Sequence, residues 1–358
     1  MKTYFQRATT VGLVLFVLVV LLLLTSCSDD DGAKPTPELS FKQIGLDNLK
    51  VYELVSLDND SLFAATSDGV YVKNIKSFDP FALVGLKGRN VLDVAVFNAN
   101  HIIATTGNRG AATDNPGIHE TLNGGTSWDT FEFGEDNNAE TAYSLSLHPN
   151  EQGTVFATGS AVVAKSLDFG RSWQPVWGDW GAFASGTAVA AVNPYVQTDL
   201  WYGGQGGIEN GYLGFMRNEQ PVKQWEDLVD NPTVAVELAF TNQGQNIFVG
   251  FEGALMKTTN NGDDWHKVID GHVNGLRFFY GIDNSETHES HVYAGGWLKG
   301  VEQQPLVLFI SHDSGNTWVS KVFEQEQSGG IFTLKALNIN GDEKIYVGLD
   351  GGGVYEID

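Results

Sequence analysis

Beyond residue 40 the chain is written in short apolar runs that stop and start again. Ser61-Leu-Phe-Ala-Ala-Thr, Thr154-Val-Phe-Ala-Thr-Gly, Asn246-Ile-Phe-Val-Gly-Phe, His291-Val-Tyr-Ala-Gly-Gly and Lys344-Ile-Tyr-Val-Gly-Leu share one pattern. Each is rich in β-branched and aromatic residues and is closed by Gly or Asp, so each predicts a strand. Helical periodicity is not sustained anywhere after residue 40. The expected class is therefore all-β.

A second pattern gives the strands an order. Four segments fit the frame Ser/Thr-x-Asp/Asn-x-Gly-x-Ser/Thr/Asp-Trp: Thr121 to Trp128, Ser166 to Trp173, Thr258 to Trp265 and Ser311 to Trp318. The Asp or Asn (Asn123, Asp168, Asn260, Asp313) can fold its side chain onto nearby backbone N–H groups. The glycine two positions on (Gly125, Gly170, Gly262, Gly315) supplies a positive φ at little steric cost. The tryptophan then opens the next strand with a large apolar face. The frame builds a hairpin, and its residues are expected to be structural.

Spacing counts the units. The tryptophans lie 45, 92 and 53 residues apart, and Trp225 falls inside the double gap. Phe81 lies 47 residues before Trp128, and Phe41 lies 40 before that. Seven equivalent outer positions result, at the ~40–50-residue period of four-stranded propeller blades. The last blade ends at Asp358 after three strands, and the strand around Phe41 can supply the fourth. That closure removes an exposed sheet edge. The expected fold is a seven-bladed β-propeller of four-stranded antiparallel blades over residues 40–358, working as a monomer.

The hairpin frame resembles the Asp-box, or bacterial neuraminidase repeat, of sialidases, sortilin-type receptors, xyloglucanases and photosystem II assembly factors. Sialidases imply an arginine triad and an Arg-Ile-Pro-like motif. After residue 26 only Arg89, Arg109, Arg171, Arg217 and Arg277 remain, without that motif. Xyloglucanases of this kind generally pair two propellers, and this chain has length for one. Sortilin-type receptors imply cysteine-rich companions, and the photosystem factors an arginine-rich patch; neither occurs here. A propeller polysaccharide lyase using His, Tyr and Arg stays open, with His119, His272 and Tyr280 available.

The N-terminus has a different character. Lys2 and Arg7 precede an apolar run from Val11 to Leu24, which ends in Leu24-Thr25-Ser26-Cys27. The run is shorter than the ~20 residues of a bilayer-spanning helix and fits a secretory signal. The tetrapeptide resembles the bacterial lipobox, which implies a signal peptide over residues 1–26 and lipidation of Cys27, the single cysteine. An acidic, proline-containing tether over residues 27–39 follows. Its Ser28-Asp29-Asp30-Asp31-Gly32 resembles the surface-export signal of Bacteroidetes lipoproteins. The expectation is an exported chain held at the outer membrane by its lipid and facing the cell exterior.

Charge narrows the partners. Without residues 1–26 there are 19 Lys+Arg against 44 Asp+Glu, a formal net charge of −25. Such a surface repels phosphate backbones, so nucleic-acid binding is not expected. Metal-ligand spacings, phosphate-binding loops and nucleophile elbows are missing from the sequence, and neither a metal nor a cofactor is expected.

Candidate ligand groups sit where loops depart from tight turns. The segments 107–117, 203–212 and 295–305, with 177–183, are expected to rise from the face opposite the Asp-box hairpins. They carry Arg109, Asp114, Trp177, Trp180, Glu209, Trp297 and Lys299. Aromatic rings beside charged groups suit a glycan or protein ligand. In the innermost strands, Glu53, Asp93, Glu237 and Arg277 align near the start, with Lys335 in the matching strand of blade seven. Charged groups there imply a wet channel, ion pairs, or carboxylates able to act as acid and base. The leading expectation is a non-catalytic surface propeller that binds a glycan or protein. The alternative is a glycoside hydrolase or polysaccharide lyase working at the channel mouth, with Asp93, Glu237 and Arg277 as candidates.

Overall fold

The computed structural model describes residues 39–108, 116–135, 138–182, 185–272 and 275–358. The chain divides into two units, Met1–Ser40 and Phe41–Asp358. The second is a seven-bladed β-propeller, each blade a four-stranded antiparallel sheet. No helix occurs among the described residues. Cys27, Arg109 and Asp114 lie outside the described residues.

Blades one to six each take four consecutive strands. Their innermost strands are Val51–Ser56, Val91–Val96, Ser144–Leu147, Ser185–Val192, Ala235–Thr241 and Arg277–Asn284. Blade seven orders Ile331–Ile339, Asp342–Leu349 and Gly353–Ile357 and then takes Phe41–Gly45 as its outermost strand. Phe41 pairs with Ile357, Lys42 with Glu356 and Gln43 with Tyr355. The ring is closed by the two ends of the propeller, as the sequence predicts.

The hairpin frames fold as their residue types require. In blade three Ser166 donates its hydroxyl to Asp168 Oδ1 at 2.8 Å, and the same hydroxyl accepts from Gly170 N–H at 2.8 Å. Asp168 also accepts from Ser172 N–H and from the Ser172 hydroxyl. Gly170 stands at φ +88°. Blade six repeats the set with Ser311, Asp313, Gly315 and Thr317, and these hydrogen bonds hold the Asp313 carboxyl down at about 2. Asn123 and Asn260 do the same work as amides. Blade four lacks the frame: its turn is Asn218-Glu219, both at positive φ. Trp225 still fills the outer position, stacked on Trp201 at 5.5 Å and donating to Gly262 O of the next blade.

The core lies between blades. Along each innermost strand alternate residues point into it, as with Leu54, Val94 and Leu238, while their neighbours face the central channel. Trp128, Trp173, Trp265 and Trp318 each pack in a cluster shared with the preceding blade.

Candidate functional site

One irregularity recurs at the start of the innermost strands. A bulge falls between Val51 and Glu53, Val91 and Asp93, Thr187 and Val189, Ala235 and Glu237, Phe278 and Gly281, and Ile331 and Thr333. A bulge re-aims the side chains beside it. Here it turns two successive residues toward the channel where a regular strand would offer one.

The result is layered. Tyr52, Tyr143, Tyr280 and Phe332, with Leu92, Ala188 and Val236, line the mouth. Next come Glu53, Asp93 and Glu237, with Ser144 and Val189 in the same register. The cavity they share is about 260 Å³. A second hollow of about 300 Å³ continues past Glu53 and Glu237 to Asp283 and Lys335.

The carboxylates are held by backbone. Glu53 accepts from Leu54 N–H and the Thr333 hydroxyl, and Glu237 from Leu238 N–H at 2.9 Å. Asp93 accepts from Val94 N–H and, across to blade three, from Leu145 N–H at 2.7 Å. Withdrawal from bulk water pushes the Glu53 carboxyl well above the usual carboxylate range, and the charges of Asp93 and Glu237 push it further. The same burial, aided by Asp93 and Asp283, pushes Glu237 up to about 8. No Lys or Arg stands in that layer among the described residues, since Ser144, Val189, Gly281 and Thr333 take the other blades' positions.

Arg277, expected to align with these carboxylates, stands elsewhere. Arg277 lies four residues before Gly281, which takes the channel position of blade six. Burial pulls its guanidinium pKa down, and its Nη1 meets no hydrogen-bond acceptor among the described residues. Lys335 is two residues past Thr333, one layer deeper, where it pairs with Asp283 at 2.7 Å. Asp283, Glu286 and Glu53 outweigh burial and raise its pKa.

The tryptophans expected on loops are half-buried or buried. Trp177 lies within a strand, Gln174–Gly178, against Tyr202 at 4.7 Å and Tyr212 at 5.6 Å. Trp180 keeps 9% of its surface and packs edge-on against Phe133 at 5.0 Å. Trp297 keeps 8%, enclosed by Phe278, Tyr280 and Phe332. Trp177 is half-buried at the outer edge of blade three, while Trp180 and Trp297 are buried, Trp297 against the mouth residues Tyr280 and Phe332. The loops are also shorter than expected, because the strands run on and leave turns of only four residues at 207–210 and 299–302. Glu209 and Lys299 remain exposed on those turns, with Lys299 Nζ 5.2 Å over the Phe278 ring.

With that geometry the chain can be compared with known proteins. No family model matches it, and no curated protein sequence matches it. Solved structures do. The GH74 xyloglucanase from Xanthomonas campestris aligns at TM-score 0.66 and 12% identity, over 89% of this chain and 53% of its own. This chain thus spans about half of that enzyme. YCF48 bound to a D1 peptide aligns at 0.62 and 13%, over 89% and 96%. Virginiamycin B lyase from Staphylococcus aureus aligns at 0.59 and 10%, over 89% and 98%. All three are β-propellers. At these identities they share the fold, and the site must be read from its own residues.

Of the candidate lyase groups, His119 lies in the core. His119 is buried in blade two between the hydroxyls of Thr106 and Thr130, and burial, then Arg89, lowers its pKa to about 4. His272 is exposed beside Asp270, while Tyr280 lies at the channel mouth. Arg171 is bound to the buried Glu120 through two hydrogen bonds of 2.8 and 2.9 Å. Sequence reasoning missed Tyr52, Tyr143, Phe332 and Asp283 in the channel. The available signal was the pair of an aromatic and a polar residue, Tyr52-Glu53, Tyr143-Ser144 and Phe332-Thr333, repeated at one place in the blade.

Proposed function

We propose that this is an exported, lipid-anchored propeller, held by Cys27 and displayed at the outer surface, that binds a glycan end without transforming it. The tyrosine-lined mouth above Glu53, Asp93 and Glu237 carries this reading. Aromatic edges and faces suit the apolar side of a sugar, and carboxyl groups accept from or donate to hydroxyls. The carboxyls are fastened by backbone amides, which favours fixed recognition over proton transfer. The tethered N-terminus and acidic surface fit display away from nucleic acid.

One observation favours a second reading, glycoside hydrolysis at the same mouth. Glu237, held protonated toward neutral pH beside Asp93, has the makings of a general acid. The two readings part in one experiment. The propeller from Lys34 onward is incubated with a panel of polysaccharides, and bound fraction and newly released reducing ends are followed together. Binding without release is the expected outcome, with affinity reduced about tenfold in Glu237→Gln. Release that vanishes in Glu237→Gln would replace binding with hydrolysis, and neither binding nor release would refute the glycan reading.

A further inference from the structure

Away from the channel, on the face that carries the hairpin frames, blades six and seven bring together histidines and a carboxylate. His288 and His291 belong to the turn between the first two strands of blade six, and Glu343 to the second strand of blade seven. One ligand atom from each of the three lies within 4.8 Å of the others. His291 Nδ1 is 3.8 Å from Glu343 Oε2, and the His288 and His291 rings lie nearly parallel with centroids 4.6 Å apart.

Two of the three groups, Glu343 and His288, are oriented by a hydroxyl neighbour. Tyr293 donates its phenol to Glu343 Oε2 at 2.5 Å. The Thr287 hydroxyl meets His288 Nδ1 at 3.0 Å, which leaves His288 Nε2 for a ligand. The His288 turn is itself fixed, with Ser285 Oγ accepting from the N–H groups of Thr287 and His288. Metal-binding histidines and carboxylates ordinarily have such outer partners.

We infer that His288, His291 and Glu343 form a site for a divalent transition-metal ion, with zinc the best match. Two imidazoles and one carboxylate are a donor set zinc takes readily, with bonds of about 2.0–2.2 Å. Tetrahedral donors at that distance stand roughly 3.3 Å apart. The His291–Glu343 pair is already near that spacing, and the exposed His288 ring can swing in. A harder ion such as Mg²⁺ or Ca²⁺ would call for more oxygen donors than the site has. His312, whose ring crosses His291 at 4.3 Å, stands outside the donor set, and water takes the fourth position. The ion would tie blade six to blade seven, the blade in which the two ends of the propeller meet.

In the sequence, His288-x-x-His291 is too short a signal alone, and its third member lies 52 residues beyond His291 on another blade. The test uses the full chain carrying Cys27→Ser, so that no thiol competes. Zn²⁺ is titrated against a chromogenic chelator in excess Mg²⁺, which saturates the acidic surface. One equivalent should bind, raise the melting temperature, and be removed by EDTA. His291→Ala and Glu343→Gln should each weaken binding at least about tenfold, while His312→Ala, next to the site, should keep it. Circular dichroism of the metal-free variants confirms that each is folded. Failure to retain one equivalent against Mg²⁺, or affinity unchanged in both His288→Ala and His291→Ala, would overturn the site.

Discussion

A chain beginning at Leu46 should lose most of its stability relative to one beginning at Lys34, although only the last strand of the final blade has been removed. That strand supplies the ladder from Phe41–Ile357 to Gly45–Val354 and the Gln43 side-chain bond to Gly352 O. Phe41 packs on Phe323 at 4.8 Å and on Tyr355 at 5.7 Å, and Ile44 joins the blade-seven core. At roughly 1 kcal/mol per lost hydrogen bond and about 1.5–3 kcal/mol per buried apolar side chain, the loss is on the order of 5 kcal/mol or more. It would also expose the edge of Gly353–Ile357, a template for pairing with other chains. Urea unfolding should show a lower midpoint with concentration-dependent aggregation. Equal midpoints for the two chains would mean that closure contributes little.

The second large effect is electrostatic. Glu237→Gln should make the protein more stable at pH 8 than the wild type, with almost no gain at pH 4.5. In the folded state burial, with the neighbouring Asp93 and Asp283, pushes Glu237 up to about 8, well above the ordinary carboxylate range. A raised pKa means that the folded state holds its proton longer than the unfolded state does. The associated stability is therefore complete below the unfolded carboxylate range and drains away as pH rises toward and through 8. Glutamine carries no charge at any pH and keeps an oxygen for Leu238 N–H. The gain at pH 8 over that at pH 4.5 should be on the order of 2 kcal/mol, read from urea unfolding at both pH values. Parallel stability curves would show that Glu237 titrates as an ordinary surface carboxylate.

These expectations rest on different depths of sequence. The blade plan was legible because it is local: Asp168, Gly170 and Trp173 define a hairpin within eight residues, whatever the rest of the chain does. Closure was legible from arithmetic, since three terminal strands and one unpaired strand near Phe41 leave few alternatives. The channel was legible in part. Glu53, Asp93 and Glu237 do share one layer, because charged residues interrupt strands that are otherwise apolar. Arg277 looked equivalent because it begins a similar strand, but the register that puts Gly281 in the channel is set by a bulge that leaves no motif. The tryptophans misled for another reason. Trp180 and Trp297 sit beside glycines and polar residues in sequence, while the partners that bury them, Phe133 and Phe332, come from other blades. Long-range packing of that kind decides exposure, and so does the meeting of His291 with Glu343.

Placing the ligand site at the channel mouth is tested most directly by comparing two tyrosines. Tyr280 lines the mouth, stacked on Phe332 at 4.3 Å, whereas Tyr195 is half exposed in a turn on the opposite face. The dissociation constant for the best-bound polysaccharide would be measured by calorimetry for Tyr280→Ala, Tyr195→Ala and the wild type. Weakening of about tenfold or more in Tyr280→Ala, with Tyr195→Ala at the wild-type value, is the result this account predicts. Wild-type affinity in Tyr280→Ala, or a loss confined to Tyr195→Ala, would contradict it.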